Sequence, residues 1–415
     1  MHSFYSLYNK IIEAGVEESI DEKILNKDFL SDFDPHHIYC LLNPERQPAV
    51  MRISSCDCKD EGRPCIVACL FDAISRDENG NISIDESRCA GCGECIENCK
   101  AGNLTDRKDL FPVFELLKGS DPVYAMIAPA FIGQFSDSVT PGKLRSAFKR
   151  LGFAGMLEVA LFADILTLKE ALEFDRSIVH DEDFQLTSCC CPIWIAMIRK
   201  IYSQLVPHVP ASVSPMVACG RSIKKLVPNA KTVFIGPCVA KKAEAKEPDI
   251  RDAVDYVLSF QEIMDIFKFA SLNPADLEED MRDHSSTAGR IYARTGGVSE
   301  AVETTLNRLR PGRPIPFKAQ QADGTIECKK LLNEIREGKI SANFIEGMGC
   351  VSGCVGGPKA VLPKEDGTKQ VNVYGVKTPY DTPADNPYVI ELLHRLGFET
   401  VGSLTDGKNM FTRDF

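Results

Sequence analysis

Four cysteines in the first quarter of the chain have a spacing that suits an iron-sulfur cluster. They form the pattern C-x2-C-x2-C-x3-C and are Cys89, Cys92, Cys95 and Cys99. In this pattern three thiolates bind one 4Fe-4S cubane and the fourth binds a neighbouring cubane. Zinc is the alternative, but a zinc site usually takes two well-separated pairs of thiols. The spacing therefore predicts clusters that carry single electrons.

A fourth thiol that crosses to a second cluster requires a second set of ligands. Four earlier cysteines supply it: Cys56, Cys58, Cys65 and Cys69. Cys65 and Cys69 keep the end of the same pattern, whereas six residues separate Cys58 from Cys65. The segment resembles the two-cluster bacterial ferredoxins, with Lys100 in place of their usual proline. The crossing rule then assigns Cys69, Cys89, Cys92 and Cys95 to one 4Fe-4S cluster and Cys56, Cys58, Cys65 and Cys99 to the other, unless Cys56 or Cys58 is a spare thiol.

The cysteine total and the charge limit the class of protein. The chain has 17 cysteines, and its N-terminus shows neither a secretory signal pattern nor a twin-arginine motif. Grouped thiols in a reducing compartment usually serve metal or redox chemistry, so we expect a cytoplasmic protein. No apolar stretch approaches membrane-spanning length, which predicts no membrane partner. A net charge of -11 without a basic cluster argues against a nucleic-acid partner and leaves open a basic electron carrier.

The apolar periodicity divides the chain into four parts. Residues 1–50 show helical periodicity followed by loops that contain proline and histidine, and residues 51–105 form a small α+β cluster domain. In residues 106–360 short β-type runs alternate with amphipathic helices, as in 123–128 and 141–151, and residues 361–415 form a C-terminal extension. This alternation predicts an α/β architecture with parallel sheets flanked by helices.

Three later loops carry cysteines, and each follows a short apolar run. They are Thr187–Trp194, Gly236–Glu244 and Glu346–Gly357. The carboxyl ends of parallel strands meet at one edge of a sheet, so the loops are expected to converge, and four of their thiols could bind a third cubane. Pro192 suits a first helical turn, which places Cys191 at a helix N-terminus where thiolate is stabilised.

Over about residues 120 to 357 these loops resemble the three signature loops of the FeFe-hydrogenases. The resemblance implies an FeFe-hydrogenase-like catalytic domain and an H-cluster, in which a 4Fe-4S cubane joins a diiron subsite with CO, cyanide and a dithiolate bridge. Its implied cubane ligands are Cys191, Cys238, Cys350 and Cys354, of which Cys354 bridges to the diiron subsite. Cys190 is implied as the proton-shuttling thiol.

The resemblance also implies residues around the diiron subsite. Lys241 would donate a hydrogen bond to cyanide, Met348 would pack against the diiron unit, and Ala128 and Pro129 would form a pocket wall. A buried ammonium beside cyanide makes a charge-assisted hydrogen bond, whereas an unpaired one is costly. The alternative is that Lys241 is a solvated helix residue.

A helix is expected to supply a proton path to Cys190 through two glutamates, Glu170 and Glu173. Glutamates three residues apart are otherwise typical of a solvated helix face. Cys189 precedes Cys190 where the family has two consecutive cysteines, so the shuttle could be displaced. The chain also departs from the family at Pro210, in place of an expected relay serine, at Gly236, in place of a methionine, and at residues 356–359, in place of the usual glycine-rich ending. These last three departures resemble the divergent group D branch, which is thought to be sensory. Two isolated thiols, Cys219 and Cys328, are expected to be buried apolar residues.

Three functions follow from the resemblance. The first is reversible H2 oxidation and proton reduction, with electrons from ferredoxin or another redox partner and an H-cluster installed by hydrogenase maturases. The second is a sensor of H2 or redox state with the same cofactor and slow turnover. The third is a non-catalytic, Nar1-like iron-sulfur assembly protein that lacks the diiron subsite.

Overall fold

The structure is a computed structural model that describes residues 3–24, 27–56, 58, 63–187 and 190–415. The N-terminal segment consists of helices α1 (Phe4–Val16), α2 (Ile20–Lys23), α3 (Lys27–Leu30) and α4 (Pro35–Leu42). The sequence predicted loops with proline and histidine after α1, but Pro35–Leu42 form the helix α4, so this prediction is wrong there. The Asp34 carboxylate accepts a hydrogen bond from the backbone N–H of His36 at 2.8 Å, and Pro35 occupies the first helical turn. Asp and Pro, which often occur in loops, here begin a helix.

The cysteine-rich segment contains only short elements. These are β1 (Val50–Arg52), α5 (Pro64–Val67), β2 (Ile74–Arg76), β3 (Ile82–Ile84), α6 (Glu94–Glu97) and β4 (Leu104–Asp106). β1 pairs antiparallel with β4, and β2 pairs antiparallel with β3. The pairing of the first strand with the last one brings both ends of the segment together.

The larger part of the chain alternates strands and helices. Its first half comprises α7 (Leu110–Lys118), β5 (Val123–Ile127), α8 (Pro141–Arg150), β6 (Gly155–Glu158), α9 (Ala160–Ser177), β7 (Gln185–Leu186), α10 (Pro192–Ile201), α11 (Pro215–Leu226) and β8 (Lys231–Gly236). Its second half comprises α12 (Ala240–Glu244), β9 (Tyr256–Ser259), α13 (Phe260–Phe269), α14 (Thr287–Ile291), α15 (Gly297–Leu309), β10 (Ala319–Asp323), α16 (Thr325–Arg336), β11 (Phe344–Met348), α17 (Lys364–Gly375) and α18 (Pro387–Arg395).

Two parallel sheets organise this part. One has the strand order β6-β5-β8-β9, and the other has the order β10-β11-β7. The central strands β5 and β8 are almost continuously apolar, because helices cover both faces of a parallel sheet. The predicted α/β architecture is confirmed. α8 ends at Arg150, and Gly152, two residues later, has a φ of 96°, a left-handed value that suits a residue without a Cβ atom.

The N- and C-terminal segments complete the core of the larger part. α1 packs against α7 and α13, α17 packs against α14, and α18 packs against α9. Buried side chains from both segments, such as Ile12 and Leu393, join the apolar core around the four-stranded sheet. Among the described residues, no helix combines the length and apolarity needed to span a bilayer.

A buried ion network joins the cysteine-rich segment to the larger part. Asp106, at the end of β4, has no exposed side-chain surface and lies 2.8 Å from Lys108, 3.1 Å from Lys242 and 3.0 Å from Lys359. These three ammonium groups hold the pKa of Asp106 well below its usual range, although burial opposes them. The contacts fix the end of β4 against α12.

Candidate iron-sulfur and active site

The first set of cysteines lies in one group. Desolvation raises the pKa of the Cys92 thiol to about 12, and the thiols of Cys89 and Cys69 add to the rise. Burial also raises the pKa of Cys95, with contributions from Cys92, Cys89 and Cys69. Cys69 also lines the same small cavity as Cys89, Cys92 and Cys95, which is the grouping that the crossing pattern predicts.

Cys99 lies near the earlier cysteines Cys65 and Cys56. Burial raises the pKa of Cys65, and the nearby thiols of Cys99 and Cys56 raise it further. Cys58 is half-buried before α5, where residues 57 and 59–62 lie outside the described part of the chain. Among the described residues no three Cys, His, Asp or Glu side chains converge closely enough for a single ion.

The three later cysteine loops converge from two different sheets. β7 and β11 are neighbours in the three-stranded sheet, whereas β8, which precedes Cys238, belongs to the four-stranded sheet. Cys191 directly precedes α10 and its Sγ accepts a hydrogen bond from the Gly349 N–H at 3.1 Å. This bond ties the loop before α10 to the loop after β11.

The thiols of these loops form a second donor set. Desolvation raises the pKa of Cys238 to about 11, with a further rise from Cys191. It raises the pKa of Cys354 to about 12 and that of Cys350 well above its usual value, with contributions from Cys238 and Cys191 in both cases. Close thiols in such an environment do not ionise readily alone, and a bound cationic cluster favours their ligating thiolate form. The donor set thus fits a cubane.

Cys92 of the first donor set lies near Cys350 of the second. Cys92 of the first set contributes to the raised pKa of Cys350 in the second. The loop around Gly93 also approaches the loop after Cys354, since a Cβ atom built on Gly93 would lie 3.5 Å from Pro358. The cysteine-rich segment therefore contacts the larger part in the region between the two donor sets.

Lys241 is buried, which excludes the alternative of a solvated helix residue. Its Nζ donates a hydrogen bond to Glu244 Oε2 at 2.6 Å, and both side chains are less than one-tenth exposed. Desolvation alone would lower the pKa of Lys241, but Glu244, followed by Cys238 and Cys354, outweighs it and raises the pKa. An ammonium has three N–H donors, so the bond to Glu244 leaves donors for a further acceptor beside Cys354.

The remaining pocket residues are apolar. Met348 ends β11 and is buried, and it belongs to the same apolar cluster as Cys190 and Cys191. Ala128 is buried at the end of β5, where its N–H donates to the Ile235 carbonyl at 2.9 Å, and Pro129 beside it is half-buried. These residues could keep water from a group bound between the loops.

The two glutamates of α9 differ in environment. Glu170 is fully buried, whereas Glu173 keeps about 18% of its side-chain surface exposed. Neither position is a fully solvated helix face. Cys190 is buried, and its neighbour Cys189 lies outside the described residues. A buried acid and a buried thiol are suitable end points of a proton path.

Glu173 has two partners that the sequence reasoning missed. Lys169 forms an ion pair with Glu173 Oε1 and donates to Ser212 Oγ at 2.6 Å, and Ser212 donates to Glu173 Oε2 at 3.2 Å. The serine expected at Pro210 therefore has a counterpart two residues later. The spacing of Lys169 and Glu173, like that of Lys241 and Glu244, is the ordinary helical pair spacing and could have indicated both contacts.

The isolated cysteines and one loop glycine are closely packed. Cys219 and Cys328 are fully buried, as predicted. Cys328 Sγ lies 3.3 Å from the Met348 carbonyl oxygen. A Cβ atom on Gly347 would lie 2.1 Å from the Trp194 ring, so this glycine permits close packing on α10 rather than on a ligand.

The chain matches known proteins over most of its length. Residues 121–358 match the family model described as iron only hydrogenase large subunit, C-terminal domain. The periplasmic Fe hydrogenase large subunit of Nitratidesulfovibrio vulgaris is 30% identical over 365 residues, which cover 68% of this chain and 87% of that protein. The cytosolic iron-sulfur assembly component 3 of Bos taurus is 23% identical over 402 residues, which cover 79% of this chain and 83% of that protein.

A solved structure shares the fold. It is a variant of an FeFe-hydrogenase from Chlamydomonas reinhardtii, with a TM-score of 0.59 and 21% sequence identity. The match covers 71% of this chain and 93% of that one.

Proposed function

Because the chain belongs to the iron-only hydrogenase family, we propose that it binds an H-cluster and catalyses reversible H2 oxidation and proton reduction. The overall reaction is 2H+ + 2e- ⇌ H2. The proposed cubane ligands are the four converging thiols of Cys191, Cys238, Cys350 and Cys354. When bound, the H-cluster supplies the redox-active metal centre at which protons and electrons combine.

The observation that carries this proposal is the buried Lys241 beside two of the cysteines. An assembly protein with a cubane alone has no evident need for a buried ammonium that adjoins Cys354 and keeps donors free. Lys241 can hold an anionic ligand such as cyanide through a charge-assisted hydrogen bond, while Glu244 balances its charge. Met348, Ala128 and Pro129 would exclude water from the same pocket.

The chain's own residues would also move the protons. We propose Cys190 as the general acid and base, because a thiol has an unperturbed pKa of about 8.5 and exchanges protons near neutrality. Glu170 would connect Cys190 to Glu173, which is the more exposed of the two glutamates. Ser212, through its hydrogen bond to Glu173, would belong to the same path.

The cysteine-rich segment would supply the electrons. We propose that residues 51–105 form a ferredoxin-like domain with two 4Fe-4S clusters, held by the crossed sets of Cys69, Cys89, Cys92, Cys95 and of Cys56, Cys58, Cys65, Cys99. Residues 106–360 would form the H-cluster domain, between the segment 1–50 and the extension 361–415. The proposal also includes ferredoxin or another redox protein as the partner. It further includes hydrogenase maturases for assembly and a cytoplasmic location.

A sensory function with slow turnover is the second candidate, and the Lys169–Glu173 ion pair favours it. The buried Lys169 ammonium and the Ser212 hydroxyl hold the carboxylate of this outer glutamate in one hydrogen-bonded orientation, which would slow its reorientation during proton transfer. A sensor needs the same cofactor but not the same rate. The rate of H2 evolution per loaded site separates the two functions.

Infrared spectroscopy after co-expression with hydrogenase maturases tests the proposal. We expect bands of bound CO and cyanide, and H2 evolution that depends on them. Lys241→Gln should shift or abolish the cyanide bands. Lys242→Gln is the matched control, because Lys242 is equally buried but pairs with Asp106 and Glu262. Iron-loaded protein without such bands would instead support the assembly-protein alternative and overturn the proposed catalysis.

A further inference from the structure

A groove opens to the surface where the two donor sets meet. Its volume is about 640 Å³, and both Cys92 of the first set and Cys350 of the second line it. Gly93 and Pro358 contribute neighbouring walls from the two loops that approach each other. A protein seated there would lie beside ligands of two proposed clusters at once.

The rim of the groove exposes apolar side chains. Ile326, in the first turn of α16, is 80% exposed, and Val351, next to Cys350, is 48% exposed. Both line the groove. An apolar patch with a polar rim is typical of a protein interaction site rather than of a surface that always faces water. No contact within the described part of the chain buries these side chains.

The charged residues of the groove are mostly acidic. Glu94, Glu97, Glu327 and Asp323 line it, against the single cation Lys364. Asp323 is occupied locally, since it accepts hydrogen bonds from the Thr295 hydroxyl and the Ser352 N–H. Glu94 and Glu97 form no ion pair within residues that the structure describes. Glu327 forms an exposed ion pair with Lys330 at 3.7 Å. The acidic side chains still outnumber the cations, so the groove presents net negative charge to a partner.

We propose that this groove is the docking site of a one-electron carrier protein with a basic, partly apolar face. The inference rests on the proposed function for its cluster assignments and adds the partner's chemistry. One electron passes from the reduced partner to an oxidised cluster beside the groove, or in the reverse direction, and no bond forms or breaks. Charge complementarity would attract a basic carrier and repel an acidic one. The route bypasses the cluster held by Cys65 and Cys99.

The test uses full-length protein made without maturases, so that it carries cubanes but no diiron subsite. The protein is reduced with dithionite and desalted, and its oxidation by a basic c-type cytochrome is followed by stopped-flow absorbance. We expect the second-order rate constant to fall as ionic strength rises. Glu327→Lys should lower it by about three- to tenfold and Ile326→Ser by about threefold at low salt.

Matched controls separate docking from general damage. Glu337→Lys makes the same charge change at the exposed far end of α16, and Val376→Ser removes a side chain that is 74% exposed outside the groove. Both should retain the wild-type rate constant. Equal effects of Glu327→Lys and Glu337→Lys, or faster reaction with an acidic two-cluster ferredoxin than with the cytochrome, would overturn the docking proposal.

The test also distinguishes this inference from the proposed function. Protein that lacks reducible cubanes would overturn both proposals. Protein with reducible cubanes that never shows CO and cyanide bands after maturation would overturn only the proposed catalysis, because the cytochrome reaction needs no diiron subsite.

Discussion

Lys169 and Glu173, one turn apart on α9, form an ion pair whose ammonium is buried, and Ser212 hydrogen-bonds to both side chains. Both oxygens of the Glu173 carboxylate are therefore engaged, so the carboxylate can reorient only if one of these contacts breaks. We expect this restraint to slow proton transfer at the outer end of the proposed proton path.

Removal of the Lys169 ammonium should free the Glu173 carboxylate to reorient and so speed proton transfer. Lys169→Met keeps most of the apolar stem, so we expect H2 evolution per loaded site to rise about fivefold, which corresponds to the ~1 kcal/mol of a partly exposed ion pair. The measurement is viologen-driven H2 evolution across pH, normalised to the infrared bands. The control is Lys149→Met on α8, which breaks a more exposed ion pair, between Lys149 and Asp280. An unchanged or lower rate with intact infrared bands would contradict the proposal that Lys169 slows proton transfer.

The proton-shuttling role of Cys190 predicts a large and selective loss. Cys190→Ser should lower turnover by at least about a hundredfold, because general acid-base groups contribute roughly 10²–10⁴ in rate and a serine hydroxyl is a far weaker acid. Iron content and infrared bands should persist. Cys219→Ser, at a fully buried thiol within α11, should leave turnover nearly unchanged. Normal turnover of Cys190→Ser would move the role to another residue, such as Cys189, its neighbour in the sequence.

The ion network at Asp106 predicts strong destabilisation when its carboxylate is removed. Asp106→Asn leaves Lys108 and Lys242 buried without their shared counter-charge, and such losses cost about 3–5 kcal/mol. Chemical denaturation followed by circular dichroism measures the effect. Asp385→Asn breaks the exposed pair with Arg308 and should cost less than about 1 kcal/mol. Similar midpoints for the two variants would argue against the network.

Asp164 predicts a pH dependence of stability. Burial raises its pKa to about 7, although the Ser286 and Gly289 N–H groups donate to it. Between pH 4 and 7 the folded chain therefore holds a proton that the unfolded chain has lost, so this group makes the free energy of unfolding fall as pH rises, by up to about 1.4 kcal/mol per unit.

In Asp164→Asn this contribution disappears. The variant should be less stable overall, because an amide cannot accept all of these hydrogen bonds, but its free energy of unfolding should vary less between pH 4 and 7. Denaturant midpoints at several pH values give the two slopes. Identical slopes for the variant and the wild type would show that Asp164 is ionised throughout.

Local patterns in the sequence predicted the architecture well, because apolar periodicity reports directly on strands and helices that bury one face. They also indicated that Cys238 and Cys350 follow strands. They could not show that these strands belong to different sheets, since the order of parallel strands depends on contacts between distant segments. Ser212 was missed for a similar reason: only the path of the chain after α10 brings it to α9.

Two separate features of the fold require glycine at position 349. Gly349 donates its N–H to the Cys191 sulfur, a contact that suits a loop around a cluster. A Cβ atom on the same residue would nevertheless lie 2.5 Å from Ile193 Cβ, so packing on α10 alone already requires glycine. Sequence reasoning assigns the residue type to one cause when the fold imposes both.

The antiparallel pairing of β1 with β4 has a topological consequence. Because α1 packs on α7 and α13, the chain starts on the larger part, leaves it for the cysteine-rich segment, and returns beside its point of departure. The segment is thus inserted into the larger part and anchored by two adjacent strands and the Asp106 network. A segment that is attached at both of its ends has less rotational freedom than a domain on a single flexible linker. The distance between Cys92 and Cys350 is therefore fixed by the fold and does not depend on the motion of a linker.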